Sequence, residues 1–165
     1  MSSRSKEKIA ICAGSFDPPT NGHLNIISRG LNIFDKLIVA IAINMEKSPV
    51  FSASERVAML KEIYQDEPRI EVDAFSGLLA EYAKAKNATT ILRGIRNMSD
   101  YEYESQMALT NKTLGGLETI FMMTEGKYAH ISSSIIKEVI TYGSSAHGMA
   151  HPIVEARLKA KLGKK

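Results

Sequence analysis

Residues 37–43 constrain the fold more than any other part of the chain, because they read LIVAIAI without one polar side chain. A strand that is apolar at every position must be covered on both faces, as happens in parallel sheets flanked by helices. Four further short apolar runs alternate with six segments of helical spacing. The alternation predicts an α/β fold, a doubly wound, Rossmann-like, five-stranded parallel sheet with helices on both faces.

The boundaries of these elements follow from apolar runs, helical spacing and turn residues. Ser52 and Glu55 form a Ser-x-x-Glu capping box ahead of the second helix, and Pro152 suits a first helical turn. The predicted strands are residues 9–13, 37–43, 70–74, 90–92 and 118–123. The predicted helices are residues 22–34, 56–64, 78–86, 101–114, 133–142 and 152–162.

Length, charge and cysteine content set further bounds. A chain of 165 residues suits one domain, so we expect residues 9–165 to fold together after a disordered leader over residues 1–8. The formal charge of +3 is dispersed along the chain, and we expect neither a nucleic-acid partner nor a membrane partner. The single cysteine, Cys12, excludes an internal disulfide, which is typical of a cytoplasmic protein.

The loop after the first predicted strand has the residues of an anion site. Ligands of doubly wound sheets bind beyond the carboxyl ends of the strands, and here the chain reads GSFDPPTNGH from Gly14 to His23. Gly14 permits a sharp turn, and the helix start offers unpaired N–H groups. His23 in the first helical turn could donate a ring N–H to a phosphate oxygen. A lone histidine there could also simply cap the turn, but the combination with Thr-x-Gly-His favours phosphate binding.

Two later segments have the same character. Residues 91–96 read ILRGIR, so that Arg93 and Arg96 could present forked donors to phosphates at a strand end, although a solvated arginine pair is the ordinary alternative. Residues 131–134 read ISSS at a helix start, where serines by themselves are ordinary N-caps.

Taken together, these motifs resemble a known superfamily. Residues 20–23 match the T/H-x-G-H signature of the nucleotidyltransferases, and residues 131–134 match their I-S-S/T-S/T signature. Within it, residues 9–162 resemble the phosphopantetheine adenylyltransferase family, and the stretch 91–104 discriminates best. The resemblance implies reversible transfer of the adenylyl group of ATP to 4'-phosphopantetheine, which releases pyrophosphate and forms dephospho-coenzyme A in coenzyme A biosynthesis.

The resemblance also implies the roles of individual residues. The catalytic residues would be His23, Lys47 and Arg96. The acceptor phosphopantetheine would contact Ser15, Lys47, Leu79, Arg93 and Asn111. The ATP-binding residues would be Ser15, Phe16, His23, Gly94, Ile95, Arg96, Glu104, Tyr128, Ala129, His130, Ile131, Ser132, Ser133 and Ser134. Ser15 stands where the family commonly has Thr, and Tyr128 stands where it often has Trp, while Leu79 could equally belong to the core.

The mechanism and partners follow from what the sequence contains. It has neither a Ser-His-Asp order nor a Walker loop, so we expect direct in-line displacement without a covalent enzyme intermediate. We expect Mg²⁺ to arrive with ATP, and we expect no metal site on the protein. His130, His147 and His151 would be structural or solvated rather than metal ligands. The resemblance further implies a homohexamer and coenzyme A as a feedback ligand.

Two alternatives stay open. A sister enzyme could act on nicotinamide or nicotinate mononucleotide or on a phosphorylated alcohol, with both signatures but without the stretch 93–104 or Lys47. A nucleotide-binding module without catalysis would keep the loops and lack an acceptor site. The joint presence of His23, Lys47, Arg93 and Arg96 argues against such a module.

Overall fold

A computed structural model describes residues 7–43 and 48–163 and confirms the predicted fold class. Five strands form one sheet in the order β3-β2-β1-β4-β5, and each neighbouring pair is parallel. The strands are β1 (Ile9–Gly14), β2 (Lys36–Ala42), β3 (Ile70–Phe75), β4 (Thr90–Ile95) and β5 (Glu118–Met123). The helices are α1 (Asn21–Gly30), α2 (Ala53–Ile63), α3 (Leu79–Ala85), α4 (Met98–Gly115), α5 (Ser133–Thr141) and α6 (Pro152–Leu162).

The apolar run in β2 is buried on both faces, as its sequence predicts. Leu37, Val39 and Ile41 belong to the core cluster that also contains residues of α1 and α2. Ile38 and Ala40 belong to the opposite cluster, together with residues of α3. Successive side chains of a strand point to opposite faces, so the alternation places a hydrophobic layer on each side of the sheet.

The strand order reverses at β1, and the sheet opens there because β1 and β4 separate toward their carboxyl ends. β1 pairs with β2 along its whole length but with β4 in two register positions, Ala10 with Thr90 and Ile11 with Ile91. Beyond those positions β1 runs on to Gly14 and β4 runs on to Ile95. The two central strands therefore end in separate loops at the place where doubly wound sheets bind ligands.

A third apolar cluster lies among the later elements. It joins Phe51 and Met59 to Ile136 of α5 and Leu158 of α6. Ile131, which precedes α5, is 3% exposed and belongs to the same cluster. The cluster therefore packs the entrance of α5 against α2 and α6. We call α2, α5 and α6 with this cluster the helical wall.

Several boundaries differ from the sequence prediction. α1 ends at Gly30 rather than at residue 34, and the N–H groups of Ile33 and Phe34 turn back to the Gly30 carbonyl. β4 extends to Ile95, three residues past its predicted end, because Arg93 and Gly94 pair with β5 although neither is a typical strand residue. α4 begins at Met98 because Asn97, rather than a residue nearer 101, caps it.

Other sequence predictions hold in detail. Ser52 and Glu55 form the reciprocal capping box, and the bounds of β5 and α6 are as predicted. Of the predicted leader, residues 1–6 lie outside the described part of the chain, and the backbone N–H of Lys8 donates to the Asp35 carboxylate at 2.8 Å. In the stretches 7–43 and 48–163, no helix combines the length and apolar character needed to span a membrane.

Candidate active site

A cleft of about 290 Å³ opens where β1 and β4 separate. Its lining comes from the loop after β1, the start of α1, the end of β4, the start of α4 and the entrance of α5. The fold thus brings together most of the polar residues singled out in the sequence. The predicted site residues that line it are Ser15, Phe16, His23, Arg93, Gly94, Arg96, Glu104, Ile131, Ser132 and Ser133.

His23 forms a reciprocal cap with Thr20 at the start of α1. The His23 backbone N–H donates to Thr20 Oγ1 at 3.2 Å, and the Thr20 N–H donates to His23 Nδ1 at 3.1 Å. Since Nδ1 accepts a hydrogen bond, a neutral ring must carry its proton on Nε2. The capping alternative is therefore correct for Nδ1, and Nε2–H is the donor that the ring can offer to an anion.

The environment of His23 keeps the ring neutral. Burial, followed by the positive charges of Arg93 and Arg96, lowers the pKa of His23 from 6.5 to about 4. The ring of Phe16 packs edge-on against the imidazole, with 5.1 Å between centroids. At neutral pH the side chain is a rigid hydrogen-bond donor without a charge of its own.

Arg93 occupies the gap between the separating strands. Its Nε donates to Glu104 Oε2 at 2.8 Å, and its Nη2 pairs with the other oxygen of the same carboxylate. Its Nη1 donates to the carbonyl of Ala13, in the part of β1 beyond the register with β4. The guanidinium thus satisfies a backbone carbonyl at the strand end and is held at one edge by Glu104.

Arg96 is held in the same way by Asp100, which lies one helical turn before Glu104 on α4. Its Nε and Nη2 donate to the two oxygens of Asp100 at 2.9 and 3.1 Å, and its Nη1 donates to the Ile131 carbonyl at 3.1 Å. These hydrogen bonds lower the pKa of Asp100, so the pair stays ionised. Asp100 and Glu104 are four residues apart on α4, and residues four apart share one helix face. That face fixes both arginines.

Ser132 and Ser133, at the entrance of α5, make different contacts. Ser132 caps the helix by accepting from the Ile135 N–H at 3.2 Å, which confirms the ordinary N-cap interpretation for this residue. Ser133 Oγ donates to the Pro18 carbonyl at 2.8 Å and so ties α5 to the loop after β1. The helix start lies in the cleft wall, where its N–H groups suit an anion.

A second cleft of about 370 Å³ adjoins the first and shares Ser15 and Ser133 with it. It adds Ser134 and three charged residues that sequence reasoning missed: Asp17, Arg56 and Lys137. In the sequence, Asp17 resembles a turn residue in a loop rich in Pro and Gly, and Arg56 and Lys137 resemble ordinary helix residues. The spacing of Lys137, four residues after Ser133, was the one available signal.

Other predicted site residues lie outside the first cleft. Leu79 packs beside the α3 core cluster, and Asn111 is buried in α4. Ile95 is buried at the end of β4, and Tyr128 packs against the helical wall. Ala129 and His130 are exposed on the segment before α5. Lys47 falls outside the described residues.

Two features bear on the chemistry available to the site. Cys12 lines the cleft, but burial raises the pKa of its thiol to about 11, so it remains protonated and is a poor nucleophile at neutral pH. Among the residues that the structure describes, no group of three or more His, Cys, Asp or Glu side chains is placed to hold a metal ion.

The chain is similar to known nucleotidyltransferases in sequence and in fold. The family model described as cytidylyltransferase-like matches residues 11–139. A phosphopantetheine adenylyltransferase from Caldanaerobacter subterraneus subsp. tengcongensis is 52% identical over 158 residues, covering 95% of this chain and 99% of the relative. One from Desulfatibacillum aliphaticivorans is 51% identical, covering 94% of this chain and 90% of that protein.

The solved structures give the same fold at low identity. A bifunctional NMN adenylyltransferase/ADP ribose pyrophosphatase from Francisella tularensis superposes with a TM-score of 0.70 at 15% identity. The match covers 93% of this chain, which spans about half (49%) of that bifunctional protein.

The hydrogen bonds of His23 lead to a prediction for its titration. We expect a neutral ring protonated on Nε2 at pH 7, with a midpoint near pH 4 rather than 6.5. Because the unfolded chain binds this proton at about pH 6.5, stability should be lost as the pH falls from about 6.5 to about 4. Nitrogen-15 NMR of the ring between pH 3.5 and 8 measures both tautomer and midpoint. Arg96→Gln should raise the midpoint in part, since burial persists. A midpoint near 6.5 in the unaltered protein would contradict the assignment.

Proposed function

The chain belongs to the phosphopantetheine adenylyltransferase family of cytidylyltransferase-like proteins, and we propose that it transfers the adenylyl group of ATP to 4'-phosphopantetheine. The products are pyrophosphate and dephospho-coenzyme A, in coenzyme A biosynthesis. The observation that carries the proposal is identity of about half the residues over nearly the whole of both chains. The cleft supports it, since two arginines, a neutral histidine and a helix start line it, as binding of phosphates requires.

The proposed reaction is a direct displacement at the α-phosphorus of ATP. An oxygen of the acceptor phosphate forms the new P–O bond, and the bond to the bridging oxygen of the β-phosphate breaks as pyrophosphate leaves. The attacking phosphate is already an anion at neutral pH, so no general base is needed. Catalysis then consists of positioning and of stabilising charge on the phosphate oxygens. The reaction is reversible because both directions exchange one phosphate bond for another.

His23 has the properties that the transition state requires. Its Nε2–H would donate to an oxygen of the α-phosphate while Nδ1 stays fixed by Thr20. The hydrogen bond from this neutral donor strengthens as negative charge develops on that oxygen. Because the ring is uncharged, it does not compete with the arginines for the ATP phosphates. Arg96 would supply positive charge beside it.

The acceptor phosphate would bind on the Arg93 side of the cleft. Ser15 offers a hydroxyl at the loop after β1, and Lys47 would complete the charge around the transferring phosphate. The pantetheine arm would then extend toward Leu79 and Asn111, on α3 and α4. On the ATP side, Gly94, Ile95, Glu104 and residues 128–134 would surround the nucleotide.

The second cleft suits the leaving pyrophosphate. It adjoins the start of α5 and contains the hydroxyls of Ser133 and Ser134 together with Arg56 and Lys137, of which Lys137 also pairs with Asp17. Mg²⁺ would enter with ATP as part of the substrate and neutralise the same oxygens. Coenzyme A, which contains the product, would act as a feedback ligand of this site. We place the reaction in the cytoplasm, without nucleic-acid or membrane partners.

A homohexamer is part of the proposal because of the surface of α4. This helix lies wholly in the described part of the chain and buries one residue, Asn111. Tyr103 and Leu109 are 63% and 72% exposed, and Met98 and Leu114 are exposed as well. Exposed apolar side chains at several positions of one helix are typical of a surface covered by another copy of the chain.

Pyrophosphate release tests the function directly. We expect release with MgATP to depend on phosphopantetheine and to be absent with nicotinamide mononucleotide. Release with the mononucleotide alone would leave the reaction class and replace the substrate. ATP binding without release for either acceptor would favour a nucleotide-binding module.

Replacement of His23 tests the proposed donor. We expect His23→Ala to lower kcat by about 10²- to 10³-fold with a modest change in ATP affinity, because its hydrogen bond strengthens in the transition state. Steady-state pyrophosphate release and ATP titration give the two quantities. His147→Ala, at an exposed loop histidine, is the matched control and should keep kcat. Unchanged turnover in His23→Ala would refute the role.

The α4 surface gives a prediction for assembly. Leu109→Glu should dissociate the hexamer, because it places a charge in an apolar contact that excludes water. Size-exclusion chromatography with light scattering measures the mass. Tyr142→Glu, at a residue of α5's end that is 75% exposed, should leave the mass of the assembly unchanged. A monomeric unaltered protein, or equal effects of the two substitutions, would be evidence against this interface.

A further inference from the structure

Asp17 is a buried carboxylate to which the proposed reaction gives no role. It is 7% exposed and lies in the loop between β1 and α1. Its Oδ1 accepts the Phe51 backbone N–H at 2.9 Å, and its Oδ2 accepts the Val50 N–H at 3.0 Å. The ammonium of Lys137 lies 3.4 Å from Oδ2. A buried carboxylate is costly unless it is bonded in this way, so the three partners account for its presence.

The partners of Asp17 come from two other parts of the chain. Val50 and Phe51 precede α2, and Phe51 is a fully buried member of the helical wall. Lys137 lies on α5, one turn after Ser133. The side chain of Asp17 therefore joins the loop after β1 both to the stretch before α2 and to α5.

Neighbouring contacts reinforce the same junction. The Ser15 carbonyl accepts from Arg56 Nη1 at 2.6 Å, and the Pro18 carbonyl accepts from Ser133 Oγ at 2.8 Å. Among these contacts, those of Asp17 involve a side chain of the loop, whereas the other two involve its backbone carbonyls. Its acceptor-only carboxylate matches two N–H donors and a cation, which an amide side chain cannot do because one of its two ends is a donor.

We propose that Asp17 is a positioning residue for adenylyl transfer, in that it holds the loop that bears Ser15 and leads into His23 of α1 at a fixed distance from the α5 entrance bearing Ser133. This inference rests on the proposed function. Ser15 and Ser133 line both clefts from opposite sides of the junction, so a shift of the loop changes the spacing between acceptor and nucleotide. Misplacement of reacting groups by about 1 Å can cost about 10²-fold in rate.

The experiment compares Asp17→Asn with Asp73→Asn. Asp73, on β3 away from both clefts, accepts the Ala74 N–H at 2.8 Å and the Tyr82 hydroxyl at 3.0 Å, and pairs with Lys86 at 2.7 Å. Both substitutions therefore remove a carboxylate that binds a backbone N–H and a lysine. For each variant, kcat and both KM values are measured at 15 °C, and kcat is divided by the folded fraction from circular dichroism.

We expect Asp17→Asn to lower kcat per folded molecule by about 10- to 100-fold, with smaller changes in KM, and Asp73→Asn to keep kcat. Asp17→Ser, which is smaller and keeps one acceptor, should show the same kcat-dominated loss. Equal kcat for Asp17→Asn and Asp73→Asn would overturn the proposal. Failure of both Asp17 variants to fold at 15 °C would also overturn it, because the role would then be structural. If the unaltered protein released no pyrophosphate, the proposed function would fail instead.

Discussion

The separation of β1 from β4 is the constraint on which the site depends. Parallel pairing of β1 with β2 on one side and β4 on the other makes the chain reverse its winding at β1. Since the β1–β4 register covers two positions, the strand ends diverge and Ala13, which pairs with Ala40 of β2, has no register partner on β4. Arg93 fills that gap with a guanidinium. A backbone requirement of the sheet thus places a cation where phosphates can bind.

The charges of the site are arranged so that fixed cations surround a neutral donor. Glu104 and Asp100, on one face of α4, hold Arg93 and Arg96 by forked hydrogen bonds. A guanidinium has five N–H donors, so each arginine keeps capacity for a ligand after these bonds are made. The same two charges contribute to the low pKa of His23. The two arginines therefore create the positive potential of the cleft and add to the effect of burial, which is the main cause of the neutral imidazole.

The helical wall gives the site its second side. The loop after β1 continues directly from the sheet. Its carbonyls and the Asp17 carboxylate, however, accept hydrogen bonds from residues of α2, α5 and the stretch before α2. Asn21 extends this pattern, since its backbone and side chain donate to the carbonyls of Met149 and Gly148. The burial of Phe51 and Ile131 in one cluster thus supports a polar site that neither residue could form by itself.

The sequence by itself determined the fold class, the capping box at Ser52 and the general place of the site, because apolar periodicity and turn residues act over a few neighbouring positions. It also predicted that Ser15, His23, Arg93, Arg96 and Ser133 would meet, through strand ends and a family resemblance. Tertiary structure decided what no local pattern contains. The extension of β4 through Arg93 and Gly94 depends on pairing with β5, and the neutrality of His23 depends on burial and on distant arginines. The place of Asp17 depends on N–H groups 33 and 34 residues away. Such contacts join residues far apart in sequence, so their physical cause exists only once the chain has folded.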